Sequence, residues 1–351
     1  MSISLFRSIN LLLLLGCFLL ALLPLNLMLA GRRLRHLRAS RRLPRPVFAG
    51  TPFAVQIELV SRRGPVLGLR VEDCGDAHEV AWFLPRLRKG ELVRLRGEVT
   101  LPRRGRYAFA AVRVWSGYPF GLAARRAWLT ATDEIIVLPR LGRVRRGLLR
   151  RRLVTSAPVA AREARPSRRD PAAQTDFHSL RAFRSGDSPR WIHWRTSARR
   201  GELMVREFED EHTDNLIVVL DLGAEESPAV VEAAVSLAAT VCWEWCRQRG
   251  DRLALAVGGP EPALIEGVTG EALAFRLLEC LAVRPGVGDR AALLDRLGAE
   301  PLPRAAVLLV TTRADGFADE LARRLGRPVA CAEASDLAGV EFYEGPADHD
   351  A

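Results

Sequence analysis

Between Asp176 and Glu211 the run DFHSLRAFRSGDSPRWIHWRTSARRGELMVREFEDE sets arginines against carboxylates more densely than any other segment of the chain. Arg181, Arg184, Arg190, Arg195, Arg199, Arg200 and Arg206 face Asp187, Glu202, Glu207, Glu209, Asp210 and Glu211. A guanidinium grips a carboxylate through two parallel hydrogen bonds, so such pairs fix geometry as well as adding energy. Gly186-Asp187 ahead of Pro189 has the composition of a turn. Trp191 and Trp194, three apart, would share one face of a helix, where indole stacks on arginine. The first reading is an extended arm or short helix docked on a neighbouring domain through buried ion pairs. The second is a binding site.

Catalytic readings are weaker. His178, His193 and His212 are the general-base candidates. Gly186-Asp187-Ser188 lacks the second glycine of a G-x-S-x-G elbow, and no H-E-x-x-H metal motif occurs. No catalytic residue is assigned. One further acid stands where chemistry is expected: Asp221, closing the apolar run NLIVVLDL. Open α/β sheets bind ligands at the carboxyl ends of their strands. The glycine-rich phosphate fingerprints are absent, so no nucleotide is indicated.

The elements that must carry these residues follow from the hydrophobic pattern. Ile9 to Ala30 is an uncharged apolar run, long enough for a bilayer core of ~30 Å. Arg32, Arg33, Arg35, Arg38, Arg41, Arg42 and Arg45 follow it. Arginine excess marks the cytoplasmic side, so the soluble part is expected in the cytoplasm, anchored to the inner membrane by residues 1–31. A cleaved signal peptide fits less well, because the apolar run is too long and the arginine cluster opposes export. Gly16, Pro24 and Asn26 leave a re-entrant hairpin as an alternative to a single span.

Residues 46–140 alternate with period two. Phe53, Val55, Ile57 and Leu59 set the phase, Val93, Leu95 and Val99 repeat it, and a slip is expected near Ala110-Ala111. Glycine and proline turns between such runs predict an antiparallel, immunoglobulin- or fibronectin-like β-sandwich of about seven strands. Residues 141–175 read as an exposed basic linker, since Arg140 to Arg169 holds eleven arginines against Glu163 alone. Residues 176–214 form the arm described above. From 215 to 345 apolar strands alternate with helices, which predicts a parallel sheet covered on both faces. The chain is thus expected to be an α+β multidomain protein.

Charge divides the same way. Residues 1–214 hold 40 basic against 19 acidic side chains, and residues 215–351 hold 12 against 22. A basic half beside a membrane meets anionic lipid favourably. The interleaved acids of the arm would repel phosphate, so nucleic acid is a disfavoured partner, with the Arg140–Arg169 segment its only candidate contact. The six cysteines form no C-x-x-C pair and no zinc spacing, and read as buried free thiols.

The arm carries a specific resemblance. Leu180-Arg181, Gly186-Asp187, Pro189-Arg190, Ile192, Trp194, Ser197-Ala198-Arg199, Gly201-Glu202-Leu203, Val205-Arg206 and Phe208-Glu209 match the pattern of the bacterial family called domain of unknown function 58. Leu43-Pro44, Gly105-Arg106-Tyr107 and Tyr118-Pro119-Phe120-Gly121-Leu122 extend the likeness. Several implications come from the resemblance alone. The C-terminal part is expected to be similar to a von Willebrand factor A domain. The role is expected to be assembly or chaperone-like work beside a MoxR-type AAA+ ATPase and other von Willebrand factor A proteins, with no reaction of its own. Arg181, Gly186, Asp187, Arg190, Trp194, Ser197, Arg199, Glu202 and Arg206 are its interaction or structural signature. A metal-binding von Willebrand A domain carries Asp-x-Ser-x-Ser after its first strand, whereas this chain has Asp221-Leu222-Gly223-Ala224-Glu225. Both serines are missing, so no cofactor is expected and a Mg²⁺ site at Asp221 is doubtful. Thr269, Thr311 and Asp315 remain as alternative ligands, and a metal-dependent activity near Asp221 as the alternative function. The family often places an acid where His193 stands.

Overall fold

A computed structural model describes residues 2–31, 34–75, 78–156, 177–183, 192–208, 215–223, 226–248, 250–284, 286–299 and 305–346. Helix α1 (Ser2–Gly31) contains the whole apolar run, with Pro24 inside it. Leu12 to Leu15, Phe18 and Leu20 are exposed along its length.

Ten strands follow: β1 (Leu37–Arg42), β2 (Val47–Phe48), β3 (Phe53–Ser61), β4 (Val66–Gly75), β5 (His78–Leu87), β6 (Leu92–Val99), β7 (Gly105–Phe109), β8 (Val112–Ser116), β9 (Arg125–Leu129) and β10 (Asp133–Leu138). A three-stranded sheet, β1-β3-β6, faces a seven-stranded one, β2-β10-β7-β4-β8-β9, with β5 on the free side of β4. The period-two positions Val55, Ile57, Leu59, Leu69, Val71, Val112, Val114 and Val137 meet in one core. The slip expected at Ala110-Ala111 is present, because β7 and β8 both pair with β4 but one residue out of register. Arg41 holds this break open. Its guanidinium donates to the Phe109, Ala110 and Ala131 carbonyls and to Asp73, and the Arg41 and Asp73 side chains have no solvent exposure.

The segment read as an exposed linker needs correction at its start. Strand β11 (Arg143–Val144) and helix α2 (Arg146–Thr155) are folded, and Leu149 and Leu153 of α2 are buried in the C-terminal core. Four arginines in ten residues masked the apolar pair, yet Leu149 and Leu153 are one helical turn apart and share a face. The rest of that segment, 157–175, lies outside the described residues.

The arm supplies β12 (Phe177–Ala182), α3 (Trp194–Arg200) and β13 (Met204–Phe208), with β12 and β13 paired antiparallel. Next come β14 (Leu216–Asp221), α4 (Pro228–Cys246), β15 (Arg252–Val257), β16 (Ala263–Val268), α5 (Glu271–Val283), α6 (Arg290–Ala299), β17 (Ala306–Thr311), α7 (Phe317–Leu325), β18 (Val329–Glu333) and β19 (Tyr343–Glu344). They build a five-stranded sheet in the order β16-β15-β14-β17-β18. Strand β16 pairs antiparallel with β15, so the sheet is mixed and not wholly parallel as expected. Its half-buried side chains hide it from an apolar-run reading.

Central β14 is buried at every position because the two sheet faces each receive helices. Leu216, Val218 and Leu220 pack with α2, α4 and α5, while Ile217 and Val219 pack with α6 and α7. Helix α4 is long and apolar, but it is the central helix of this core. The sandwich joins the same core through Leu138, and Phe48 stacks edge-on against Trp243 at 6.3 Å.

Candidate functional site

Strands β14 and β17 run parallel and end together, which brings Asp221 level with Thr311. Beyond β17 the chain turns through Arg313 to Asp315 before α7. From the other side, residues 286–289 pass over the end of β15 and deliver Arg290 at the start of α6. Gly288 allows that approach: a Cβ there would collide with the backbone of Gly259. Asp289 then accepts a hydrogen bond from the Ala291 amide at 2.9 Å and fixes the first turn of α6.

These elements converge on one ion bridge. Asp221 is 3% exposed. Arg290 donates to it twice, from Nε to Oδ1 at 3.2 Å and from a terminal nitrogen to Oδ2 at 2.6 Å. The same guanidinium donates to Asp315 at 2.7 and 3.0 Å. The Thr311 hydroxyl donates to Asp221 Oδ2 at 3.1 Å and accepts from the Arg313 amide at 3.1 Å. The guanidinium also lies over the Phe317 ring, 4.3 Å from its centroid. Hydrogen bonding to Asp221, and then to Asp315, drives Arg290 still further above its ordinary range, so it stays charged at any working pH. The hydrogen bond from Arg290 holds the Asp315 carboxyl below the usual carboxylate range. Between the two carboxylates sits the chain's own cation.

Of the alternative ligands, Thr311 and Asp315 do lie with Asp221. Thr269 does not. Its amide bonds to the Asp251 carbonyl just before β15, at the opposite end of the sheet. Among the described residues no three His, Cys, Asp or Glu side chains come together as a ligand set. Arg290 was not read from the sequence. Its signal was Gly288-Asp289-Arg290, a tight turn and helix cap that place a cation at a strand-end level.

The arm has its own local logic. The His193 ring accepts a hydrogen bond from the Thr196 amide at 3.2 Å and caps α3. Ser197 is buried; its hydroxyl donates to the His193 carbonyl at 3.1 Å and accepts from the Met204 amide at 2.8 Å. Gly201 ends the helix at φ 71°, a left-handed conformation that favours glycine. Ile192 bridges to Val205, and both are buried. By contrast Arg199 and Glu202 are exposed, and Trp194 is 65% exposed. Arg181 and Arg206 lie in paired strands, while Gly186, Asp187 and Arg190 fall outside the described residues.

Residues 179–338 match the family model described as "Protein of unknown function DUF58". Residues 179–338 are a DUF58 region. It takes in nearly all of the arm, the ion bridge at Asp221 and the whole five-stranded sheet. The chain is 26% identical over 235 residues to the uncharacterized protein YeaD of Bacillus subtilis (strain 168). That match covers 61% of this chain and 54% of YeaD, so it spans about half the length of this relative. Solved structures with local similarity include the CARDB domain of the PF1109 protein from Pyrococcus furiosus. It is 14% identical, with 29% of this chain and 94% of that chain covered at a TM-score of 0.22. A PKD domain of an M14-like peptidase from a Thermoplasmatales archaeon is 19% identical, with 28% and 92% covered at a TM-score of 0.20.

Proposed function

We propose that this chain is a membrane-anchored adaptor, held by α1 in the cytoplasmic membrane with its folded domains in the cytoplasm, and without catalysis of its own. Its suggested partner is a MoxR-type AAA+ ATPase, together with other von Willebrand factor A proteins. The doubly covered sheet, with Asp221 at the end of its first and central strand, supports the von Willebrand factor A-like reading of the C-terminal part. The observation that carries the adaptor role is Trp194. An indole 65% exposed on a helix whose cap, Ser197 and Gly201 are all locally satisfied contributes little to the fold. Tryptophan is among the residue types enriched at interface hot spots. The ion bridge supports the same reading, because Arg290 engages both Asp221 oxygens and leaves no free base there.

The test is affinity purification of the tagged full chain from gently solubilised membranes with ATP, read by mass spectrometry. Enrichment of an AAA+ ATPase, lost in a Trp194→Ala variant that melts like wild type, is the expected result. Retention of every partner by that variant would remove the arm from the interface. A chain that brings down no ATPase would end the adaptor reading.

A further inference from the structure

A second surface is built where α1 meets the sandwich. Asn26 lies inside the apolar helix yet is fully buried. Its side-chain amide donates to the Ala123 carbonyl at 2.6 Å, and its oxygen accepts from the Phe120 amide at 3.0 Å. Both halves of the side chain are thus spent on one loop, 117–124, which joins β8 to β9. That loop is braced from within. The Gly121 amide bonds to the Gly117 carbonyl at 2.8 Å, and Ser116 Oγ accepts from the Tyr118 amide while donating to the Leu67 carbonyl. Gly121 has φ 71°, which lets so short a loop close.

A braced loop would normally turn its apolar side chains inward. Here Tyr118, Phe120 and Leu122 are each close to half exposed, on alternate residues. Two exposed arginines, Arg125 and Arg126, follow directly. Aromatic residues beside arginines are the composition of a membrane–water boundary. The level is also right. From Ile9 to Asn26 a helix rises about 27 Å, close to the ~30 Å thickness of a hydrocarbon core. Asn26 therefore stands where the core gives way to headgroups, and it holds the loop at that height.

We infer that loop 117–124 is a wedge that inserts Tyr118, Phe120 and Leu122 into the acyl–headgroup boundary of the bilayer that α1 crosses, with Arg125 and Arg126 on anionic headgroups. This rests on the membrane-anchor reading of α1. The wedge fixes the sandwich against the membrane face and does not leave it swinging on a single tether.

The experiment uses the full chain with the accessible thiols removed by Cys17→Ser, Cys74→Ser and Cys331→Ala, and with Phe120→Cys labelled by an environment-sensitive nitrobenzoxadiazole probe. It is reconstituted in phosphatidylcholine–phosphatidylglycerol vesicles. A second chain carries the probe through Val268→Cys, at an exposed position ending the edge strand β16. Blue-shifted emission at 120, with several-fold stronger quenching by shallow nitroxide lipids than at 268, is expected. An Asn26→Leu variant keeps the helix apolar but releases the loop, and should lose most of that difference. Water-like emission at 120, equal to that at 268, would overturn the wedge. If the vesicles then still retain the chain through an alkaline wash, the anchor survives and the wedge alone fails. If the chain washes off as well, both fail.

Discussion

Replacing Arg290 with alanine should uncouple the strand-end bridge, and its cost can be worked from the geometry. Asp221, its side chain 4% exposed, would be left with only Thr311 donating to it. Removing one partner of a fully buried pair costs about 3–5 kcal/mol. The Arg290 side chain is 23% exposed, so water would enter the vacated space and reduce that figure. Two charge-assisted hydrogen bonds at ~1.5 kcal/mol each set a floor near 3 kcal/mol before hydration. An expected loss of about 3 kcal/mol corresponds to a fall in Tm of roughly 6–12 °C for a unit of this size. The assay is thermal unfolding of the detergent-solubilised full chain by tryptophan fluorescence, in which buried Trp245 reports on the same core. Arg290→Lys should fall between the two, since an ammonium cannot make the paired contact. Mg²⁺ should raise the Tm of Arg290→Ala, because Asp221, Thr311 and Asp315 then offer oxygen ligands to a hard cation, and should leave wild type unmoved. An Arg290→Ala protein melting within about 1 °C of wild type would refute the assignment on the scale of such shifts. So would a Mg²⁺ shift of equal size in both proteins.

Three further outcomes are expected. Arg41→Met should destabilise the sandwich by about 3 kcal/mol, because Asp73 is left fully enclosed with only His78 beside it; denaturant unfolding of the solubilised protein measures it. Gly288→Ala should displace the loop that carries Arg290 and lower Tm by several degrees, since the neighbour is Gly259 backbone that cannot step aside; Arg290→Ala in the same chain should then cost less than it does alone. Asp315 is held below its ordinary pKa in the fold. Its contribution is therefore present above the unfolded value of ~3.9 and is lost as pH falls through the lower folded value. Asp315→Asn should flatten that part of an acid-unfolding curve and leave neutral stability less changed than Arg290→Ala does.

Much of the fold was legible because its pattern is periodic. The β3 phase of Phe53, Val55, Ile57 and Leu59, the bulge at Ala110-Ala111 and the alternation of β14, β15, β17 and β18 with helices all follow from which positions must leave water, whereas half-buried β16 does not. What was illegible involves charged residues in buried places. Strand β1 hid because Arg41 points inward to Asp73, and α2 hid among arginines that surround Leu149 and Leu153. At the candidate site Asp221 was legible as the end of a buried strand. Arg290 was not, because 69 residues separate it from Asp221 and only the sheet topology closes that gap. In the arm, Ser197 and Gly201 turn out to serve the local fold, whereas Trp194 and Glu202 face solvent. One signature thus mixes residues that build the motif with residues that the motif displays.

The pairing of β11 with β19 ties the two ends of the C-terminal unit together. Arg143 and Val144 lie beside Glu344 and Tyr343, so the unit begins and ends at one point. Tyr343 also hydrogen-bonds Ser236, which donates to the Arg140 carbonyl, and Thr240 accepts from the Gly142 amide. A pull on the unit reaches the sandwich through this seam and, beside it, through Leu138, the Phe48–Trp243 ring contact and the Arg104–Glu232 ion pair. From there β10 and β2 lead back to the residues that follow α1. Mechanically the seam is a hinge pin: the chain enters and leaves the five-stranded sheet beside it, so the sheet cannot turn on the sandwich without straining these few bonds.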